Sequence, residues 1–440
     1  METPDRKDFM LFSDITLIDE NFASQEHQWI GTIDGRIAYV GDTAPEDPAR
    51  FGEVYPGHDR VLMPGLYNAH SHAPMTLLRG YAENLPLQTW LFERIFPFEA
   101  KMTAEDCYWA TKLACAEMLR YGTVSFSDMY YHSRDCVRAV REAGMKCNMS
   151  DTLIAPQEKS YDEYPLAAAN RAYLEELQGA DDGRILIDFN VHAEYTTNPL
   201  SVRTLAKAAK EAGVRVQVHV SETHSEHEEC KERHGGLTPV QYFDSLGLFD
   251  VPVTAAHCVW IEGEDFDILA DRGATVAANP VSNMKLASGF APIPRMLERG
   301  INVALGTDGC ASNNNLDMFQ DLYVLALVCK GAASDPTLIS PSQALRIATR
   351  NGALSQGRED CGLVREGMRA DLVVLDASGP SWHPTGDAAS HAVYAGHGAD
   401  VVLTMVDGRV LYRDGNWTTV DVEEAKAHVE AAKQRILQDL

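Results

Sequence analysis

A chain of 440 residues exceeds one average domain, yet a barrel of alternating strands and helices can take up most of that length as one unit. Its 38 Lys+Arg stand against 64 Asp+Glu, and the resulting formal charge of −26 repels polyphosphate and leaves no basic stripe, which excludes a nucleic-acid polymer as the expected partner. Hydrophobic residues make up 45%, enough for a sizeable core, while no apolar run approaches the roughly 20 residues that span a bilayer, so no membrane partner is expected.

The amino terminus, Met1-Glu-Thr-Pro-Asp-Arg-Lys-Asp8, has acidic and polar residues where a signal peptide would place a basic start and an apolar stretch. The 9 cysteines include no Cys-x-x-Cys pair and fit reduced thiols in a cytoplasm, the expected location. Residues 1–60 then read as short strands, with Asp34-Gly35 as a hairpin signal between Trp29–Ile33 and Arg36–Val40.

Eight short apolar runs follow, each leading into a helical or mixed segment. The first is Val61 to Met63, which precedes His70 and His72 in Asn68-Ala-His-Ser-His-Ala-Pro74. Residues i and i+2 of a strand share a face, so these two imidazoles project in one direction where a strand opens into a loop. Next come Thr123–Phe126, Lys146–Met149 and Ile185–Val191, the last followed directly by His192. The fifth run, Val214–Val220, carries His219 with Glu222 just beyond it, and the sixth, Val253–Ala256, is followed by His257. Ala274–Asn279 and Ile301–Gly306 complete the series, and Asp308 follows the last. Helical segments such as Ser201–Ala212, Asp265–Arg272 and Pro292–Arg299 separate the runs. This alternation predicts an α/β fold, a (β/α)8 TIM-type barrel, with an open doubly wound sheet as the alternative.

Towards the other end, Ala370–Leu375, Val401–Val406 and Arg409–Tyr412, with Asp407-Gly408 as a turn, repeat the strand chemistry of the first sixty residues. The two ends are therefore expected to build one small β-sandwich domain from residues 1–60 and 370–440, around a barrel of residues 61–369. The segment from Val422, rich in Glu, Ala, Lys and Leu, reads as a terminal helix.

A barrel gathers its functional residues at the carboxyl ends of its strands, and His70, His72, His192, His219, Glu222, His257 and Asp308 all fall there. Imidazoles with a carboxylate suit zinc or iron(II) better than calcium or magnesium, whose sites are built mostly from oxygen. A catalytic zinc keeps a position for water and lowers its pKa to about 7. Glu222, three residues after His219, is placed to carry protons instead of binding metal, as hydrolytic deamination requires when a ring nitrogen is protonated beside the attacked carbon.

The stretches Asn68–Gly80, Val218–Glu222, Ala256-His-Cys258, Asn279–Leu286 and Gly306–Asn313 together resemble the amidohydrolase superfamily, in its chlorohydrolase and deaminase branch that includes methylthioadenosine/S-adenosylhomocysteine deaminases. The resemblance implies one metal, zinc or iron(II), on His70, His72, His219 and Asp308. No lysine ends the fourth run, so a carbamate bridging two metals has no source. It further implies that Glu222 shuttles protons to the ring, His257 orients the attacking water, and Asp308 touches the metal and takes the water's proton. Glu99, in Phe96-Pro-Phe-Glu-Ala100, resembles the carboxylate that binds ribose hydroxyls, and His192 resembles a substrate-contacting histidine.

The implied activity is deamination of an adenosine-type nucleoside to the inosine-type product and ammonia, by a homo-oligomer acting on a small molecule. A free-base deaminase such as one for guanine, or a triazine hydrolase, shares every metal ligand and differs in the pocket. A non-catalytic scaffold of the same fold is disfavoured by the intact ligands and Glu222. Relatives that take S-adenosylhomocysteine are expected to offer arginines after the third run, where this chain has Ser150-Asp-Thr152 and then Ala155–Lys159. Asp151 is accordingly expected to repel an anionic substrate tail, with Lys159 as the one nearby cation able to offset it.

Overall fold

A computed structural model describes residues 8–440; Met1–Lys7, on which the expectation of an absent signal peptide largely rests, lie outside the described residues. The barrel is built from eight parallel strands: β1 (Leu66–His72), β2 (Thr123–Tyr130), β3 (Lys146–Leu153), β4 (Phe189–Val191), β5 (Val216–Val220), β6 (Val253–His257), β7 (Thr275–Ala278) and β8 (Asn302–Leu305). They neighbour one another in chain order, and the bridge Asp308–Gly309 that follows β8 pairs with Ser71 and His72 of β1. That pairing returns the last strand to the first and brings Asp308 beside the histidine pair.

Period-two patterning shows clearly in β5. Val216, Val218 and Val220 are fully buried on one face, and Gln217 and His219 alternate with them on the other. Each buried valine contributes on the order of 1.5–3 kcal/mol from removal of apolar surface. The opposite faces meet in a polar floor: Asn148 and Gln217 both donate to the Asp188 carboxylate, and Asn68 Nδ2 donates to Thr307 Oγ1. The expected fourth run is split into Ile185–Leu186 and Phe189–Val191, and the Asp188 side chain between them joins this network.

Both chain ends contribute to a second, nine-stranded mixed sheet. Met10–Ile18, Ser24–Ile33 and Arg36–Gly41 form its amino-terminal side, Glu53–Pro56 pairs with Met10–Ile18, and Leu372–Asp376, Val401–Val406, Arg409–Arg413 and Asn416–Trp417 form its other side. One expectation is corrected here. The apolar run Val61–Met63 lies in Arg60–Pro64, which pairs antiparallel with Leu372–Asp376 in this sheet, so it joins the two chain ends and does not open the barrel. An apolar run buried on both faces looks the same in either sheet, and only the Pro64-Gly65 break shows that a new strand begins at Leu66. Gly65 has to be small there, because a Cβ would overlap the Val124 side chain of β2.

The sheet is fastened to the barrel floor by charge. Lys146, at the start of β3, is 1% exposed and pairs with Asp371 and, at 2.8 Å, with Asp407, while the Tyr67 hydroxyl also donates to Asp371. The tail forms the helix Val422–Gln438 as expected, and among the described residues no helix is long and apolar enough to cross a membrane.

Candidate active site

His70 and His72 leave the end of β1 on one side of the strand, and their rings stand edge to face, 4.9 Å between centroids. β5 brings His219 against them: its Nε2 lies 3.3 Å from His72 Nε2, closer than two protonated imidazole nitrogens would tolerate. Asp308 Oδ1 is 3.2 Å from His72 Nε2 and 3.7 Å from His70 Nε2. His70, His72 and Asp308 form one set of candidate ligand atoms lying within 4.8 Å of one another, and His70, His219 and His257 form another.

The tautomers are fixed from behind. His72 Nδ1–H donates to the Met129 carbonyl at 2.6 Å and His219 Nδ1–H to the His192 carbonyl at 2.7 Å, so in both rings Nε2 is left with its lone pair turned inward. His70 Nε2 is buried with no hydrogen-bond partner among the described residues, an arrangement that is costly unless something else supplies one. His70 Nε2, His72 Nε2 and an Asp308 oxygen lie within 4.8 Å of one another, with His219 Nε2 3.3 Å from that of His72, and this donor set fits a zinc-type ion. Without an ion, burial pushes His70 and His219 well below the usual imidazole range.

Asp308 sits at a positive φ of 62°, as do His257 at 71° and Ser221 at 49°. Strained backbone of this kind at three strand ends around one point re-aims side chains that a regular strand would send elsewhere. Gly306 permits the approach, since a Cβ there would overlap Asn279 Oδ1 and the His70 carbonyl.

Around this centre stand the groups expected to handle protons and substrate. Glu222 is 6% exposed; its Oε1 accepts from Ser288 Oγ at 3.2 Å and its Oε2 lies 3.8 Å from His257 Nε2. Burial raises the Glu222 carboxyl above its ordinary value, against the opposing pull of His257. His257 Nδ1 pairs with Asn283 Oδ1 at 2.8 Å, which leaves Nε2 on the cavity side, and Asp308 Oδ2 accepts from Ser282 Oγ at 2.6 Å. His192 Nδ1 pairs with Thr196 Oγ1 at 2.9 Å, and burial lowers that ring to about 3, so it is neutral at physiological pH. Glu99 is half-buried and lines the same cavity, and burial raises its carboxyl to about 7 against the Tyr130 hydroxyl and His72.

The structure therefore brings Glu99, His192, Glu222, His257 and Asp308 to one cavity with His72 and His219, and places His70 directly beneath. It separates Asp151 from them. The Asp151 carboxylate accepts from the Ser133 N–H at 2.9 Å and the Tyr173 hydroxyl at 3.2 Å, at the start of a neighbouring helix, and does not line the cavity. Its neighbour Thr152 lines the cavity instead, and Lys159 does not line it. Reading strand residues without knowing the phase of the pleat misassigned this pair. Ser282, Asn283, Ser288 and Glu226 were not identified from sequence. The first two lie in the quoted stretch Asn279–Leu286, but a hydrogen-bond partner across 26 residues leaves no spacing signal. An apolar wall of Leu87, Trp90, Leu91 and Phe96 closes the far side, carried by a short helical segment with one π-turn at Leu91–Ile95.

Comparison with known proteins agrees with this geometry. A model of the amidohydrolase family matches residues 61–411. The chain is 42% identical over 385 residues to a 5-methylthioadenosine/S-adenosylhomocysteine deaminase of Dictyoglomus thermophilum, covering 88% of this chain and 89% of that one. It is 41% identical over 413 residues to a 5'-deoxyadenosine deaminase of Methanosarcina mazei, covering 92% and 94%. Among solved structures it is similar to a zinc-bound adenosine deaminase from Xanthomonas campestris, with a TM-score of 0.91 and 31% identity over 98% of this chain and 99% of that one.

Proposed function

The chain belongs to the amidohydrolase family, and from that premise we propose that it is a zinc-dependent aminohydrolase that converts an adenosine-type nucleoside to its inosine-type product and ammonia. The observation that carries the reading is the gathering of His70, His72, His219 and Asp308 beneath a cavity that also holds the buried Glu222, whose carboxyl burial raises. In this reading those four residues hold the metal. When bound, a divalent ion supplies the Lewis acidity that makes hydroxide available at neutral pH.

The remaining steps belong to the chain's own side chains. Glu222, whose carboxyl burial raises above its ordinary value, donates a proton to the purine ring nitrogen next to the amine-bearing carbon, which makes that carbon electrophilic. His257, with Nδ1 held by Asn283, presents Nε2 to the attacking water and orients it. Asp308, steadied by Ser282, takes one proton from that water and passes it to the departing amine, which leaves as ammonia. Glu222 recovers its proton from the new hydroxyl on carbon, so the ring nitrogen keeps the proton it received and the product is the lactam.

In this reading Glu99 and neutral His192, both on the cavity wall, accept from two vicinal ribose hydroxyls and pair with the purine edge respectively, roles that would favour a nucleoside over a free base. No lysine or arginine lines the cavity among the described residues, so the 5' position is suited to a neutral, compact group such as hydroxyl, hydrogen or methylthio. Within the same reading, the catalytic barrel begins near residue 66 in place of 61, and residues 8–64 with 370–440 form the accessory unit.

Ammonia release by the zinc-loaded protein from adenosine, 5'-deoxyadenosine, 5'-methylthioadenosine, S-adenosylhomocysteine, guanine and a triazine tests this directly. Turnover of the nucleosides is expected. Turnover of guanine or the triazine with none of the nucleosides would reject it.

A further inference from the structure

Beside the catalytic cavity lies a second, more open recess of about 590 Å³. Three side chains line both spaces, Leu87, Trp90 and Leu286, so the partition between them is apolar and one residue thick.

The cavity side that faces this partition is the one that handles the amine. Glu222 Oε1 accepts from Ser288 Oγ at 3.2 Å, and Asp308 Oδ2 accepts from Ser282 Oγ at 2.6 Å. Both serines belong to one stretch, the helix Pro280–Lys285 and the loop after it, and Leu286 stands between them in the chain. In the deaminase reading, on which this inference rests, Glu222 meets the ring nitrogen beside the amine-bearing carbon, and Asp308 gives the departing amine its proton. The exocyclic nitrogen is therefore held between two carboxyls steadied by the segment that carries Leu286. Glu99 and His192, which take the ribose and the other purine edge in that reading, line the cavity and not the recess. Neither the sugar nor its 5' substituent is directed there.

We propose that the recess receives a substituent on the exocyclic nitrogen, and that the enzyme also hydrolyses N6-alkyl and N6-benzyl adenosine nucleosides. The step balances with water alone. The water oxygen bonds to the amine-bearing carbon, the carbon–nitrogen bond breaks with its electron pair on nitrogen, and Asp308 passes the water's proton to that nitrogen. A primary alkylamine leaves in place of ammonia, and the product is the same inosine-type lactam.

The wall suits an uncharged, apolar group. The Glu83 carboxylate and the Lys285 ammonium on it pair with each other at 2.8 Å, and the Trp260 indole N–H donates to the Ser288 carbonyl at 2.7 Å, so these polar groups already have partners. Trp260 is 38% exposed and offers its ring to the recess. Passage needs Leu286 to turn aside. It is half-buried at the end of its helix, next to Ala287 at a φ of 55°, and its side chain can move between staggered rotamers.

The test measures the amines and inosine that the zinc-loaded full chain forms from adenosine, N6-methyladenosine and N6-benzyladenosine, with ammonia, methylamine and benzylamine separated by chromatography. The parent is expected to release methylamine with a kcat/KM within about 100-fold of that for ammonia from adenosine. Leu286→Ala thins the partition and is expected to raise the ratio of benzylamine to ammonia release about ten-fold or more. Ser225 lines the recess from an exposed position and does not line the cavity. Adding Ser225→Trp to Leu286→Ala fills the recess and is expected to reverse the gain, with ammonia release from adenosine staying as in Leu286→Ala. Ammonia from adenosine without methylamine or benzylamine, in both the parent and Leu286→Ala, overturns the inference and leaves the deaminase reading standing. A Leu286→Ala gain that Ser225→Trp fails to reverse also overturns it, since the substituent then lies elsewhere. No ammonia from adenosine, 5'-deoxyadenosine or 5'-methylthioadenosine rejects both readings together.

Discussion

Glu226 holds the backbone of Glu222: its Oε2 accepts from the Glu222 N–H at 2.7 Å, and its Oε1 accepts from the Ser221 N–H at 3.0 Å. The same carboxylate belongs to the capping box with Thr223 that starts the helix His224–Arg233, so one side chain both begins that helix and aims the proton-carrying carboxyl. Ser221 is at positive φ, a conformation that needs such a clamp. Glu226→Gln replaces one accepting oxygen with an NH2 group facing an N–H. The expected outcome is a fall in kcat of about ten-fold with KM and bound zinc near parental values, because only the aim of Glu222 is disturbed. Steady-state kinetics with metal analysis checks this, and an unchanged kcat would remove Glu226 from the positioning role.

Glu222→Gln keeps the shape of the side chain and its bond to Ser288 but cannot deliver a carboxyl proton to the ring. Metal content is expected to be unchanged while kcat falls roughly 100-fold to 10,000-fold. Activity within about three-fold of the parent would show that the ring proton comes from elsewhere.

His70→Ala and His219→Ala each remove one converging nitrogen. A methyl group offers no donor, so zinc content after dialysis and activity are both expected to drop, and the orphaned polar environment around His70 is expected to lose stability on chelation even in the parent. Full zinc occupancy with parental affinity in either variant would mean that the ligand set is wrong.

Much of this site could be read from the chain because strand ends are local signals. His70 and His72 stand two apart beside a Pro-Gly break, and His219 and Asp308 follow runs of β-branched or small apolar residues; no tertiary knowledge is needed to place them at one end of a parallel barrel. The fold was legible for the same reason, as each run appears within a few residues of an observed strand. What stayed hidden depends on pleat phase or long-range contact. Which of Asp151 and Thr152 faces the cavity changes when the strand is shifted by one residue, Val61–Met63 is apolar enough for either sheet, and Asn283 reaches His257 only once the barrel has closed.

The cavity chemistry predicts substrate preference. Among the described residues no lysine or arginine lines the cavity, so a carboxylate brought there is expected to be left desolvated and unpaired. By kcat/KM, 5'-methylthioadenosine, 5'-deoxyadenosine and adenosine are expected to exceed S-adenosylhomocysteine by about ten-fold or more. The gap is expected to change little between low and high salt, since an unpaired buried group is a local effect that screening does not reach. Equal turnover of S-adenosylhomocysteine would mean that a basic group outside the described cavity wall swings in to meet its tail.

The buried cluster of Lys146, Asp371 and Asp407 predicts how the fold responds to acid. Burial alone would raise the Asp407 carboxyl, but the Lys146 ammonium and then the Arg369 guanidinium outweigh it and hold the group at about 2. A carboxyl depressed in the folded state contributes stability that is fully present above its unfolded pKa of about 4 and is lost as pH falls from there towards 2. Asp371 and then Asp407 outweigh burial and raise Lys146, so its share is present at neutral pH and fades only under strongly alkaline conditions. Asp407→Asn leaves the ammonium one carboxylate short. It is expected to unfold at a lower urea concentration than the parent at pH 7, and to lose less of its remaining stability between pH 4 and pH 3. Lys146→Met removes the cation from between two buried acids and is expected to be the more damaging change, on the order of 3–5 kcal/mol, because Asp371 then lacks its cation and Asp407 keeps only Arg369. Urea titrations of the three proteins at pH 7, 4 and 3 separate these outcomes. Parallel pH dependence in parent and Asp407→Asn would place the acid sensitivity in other carboxyls and leave this cluster a minor contributor to holding the sheet on the barrel.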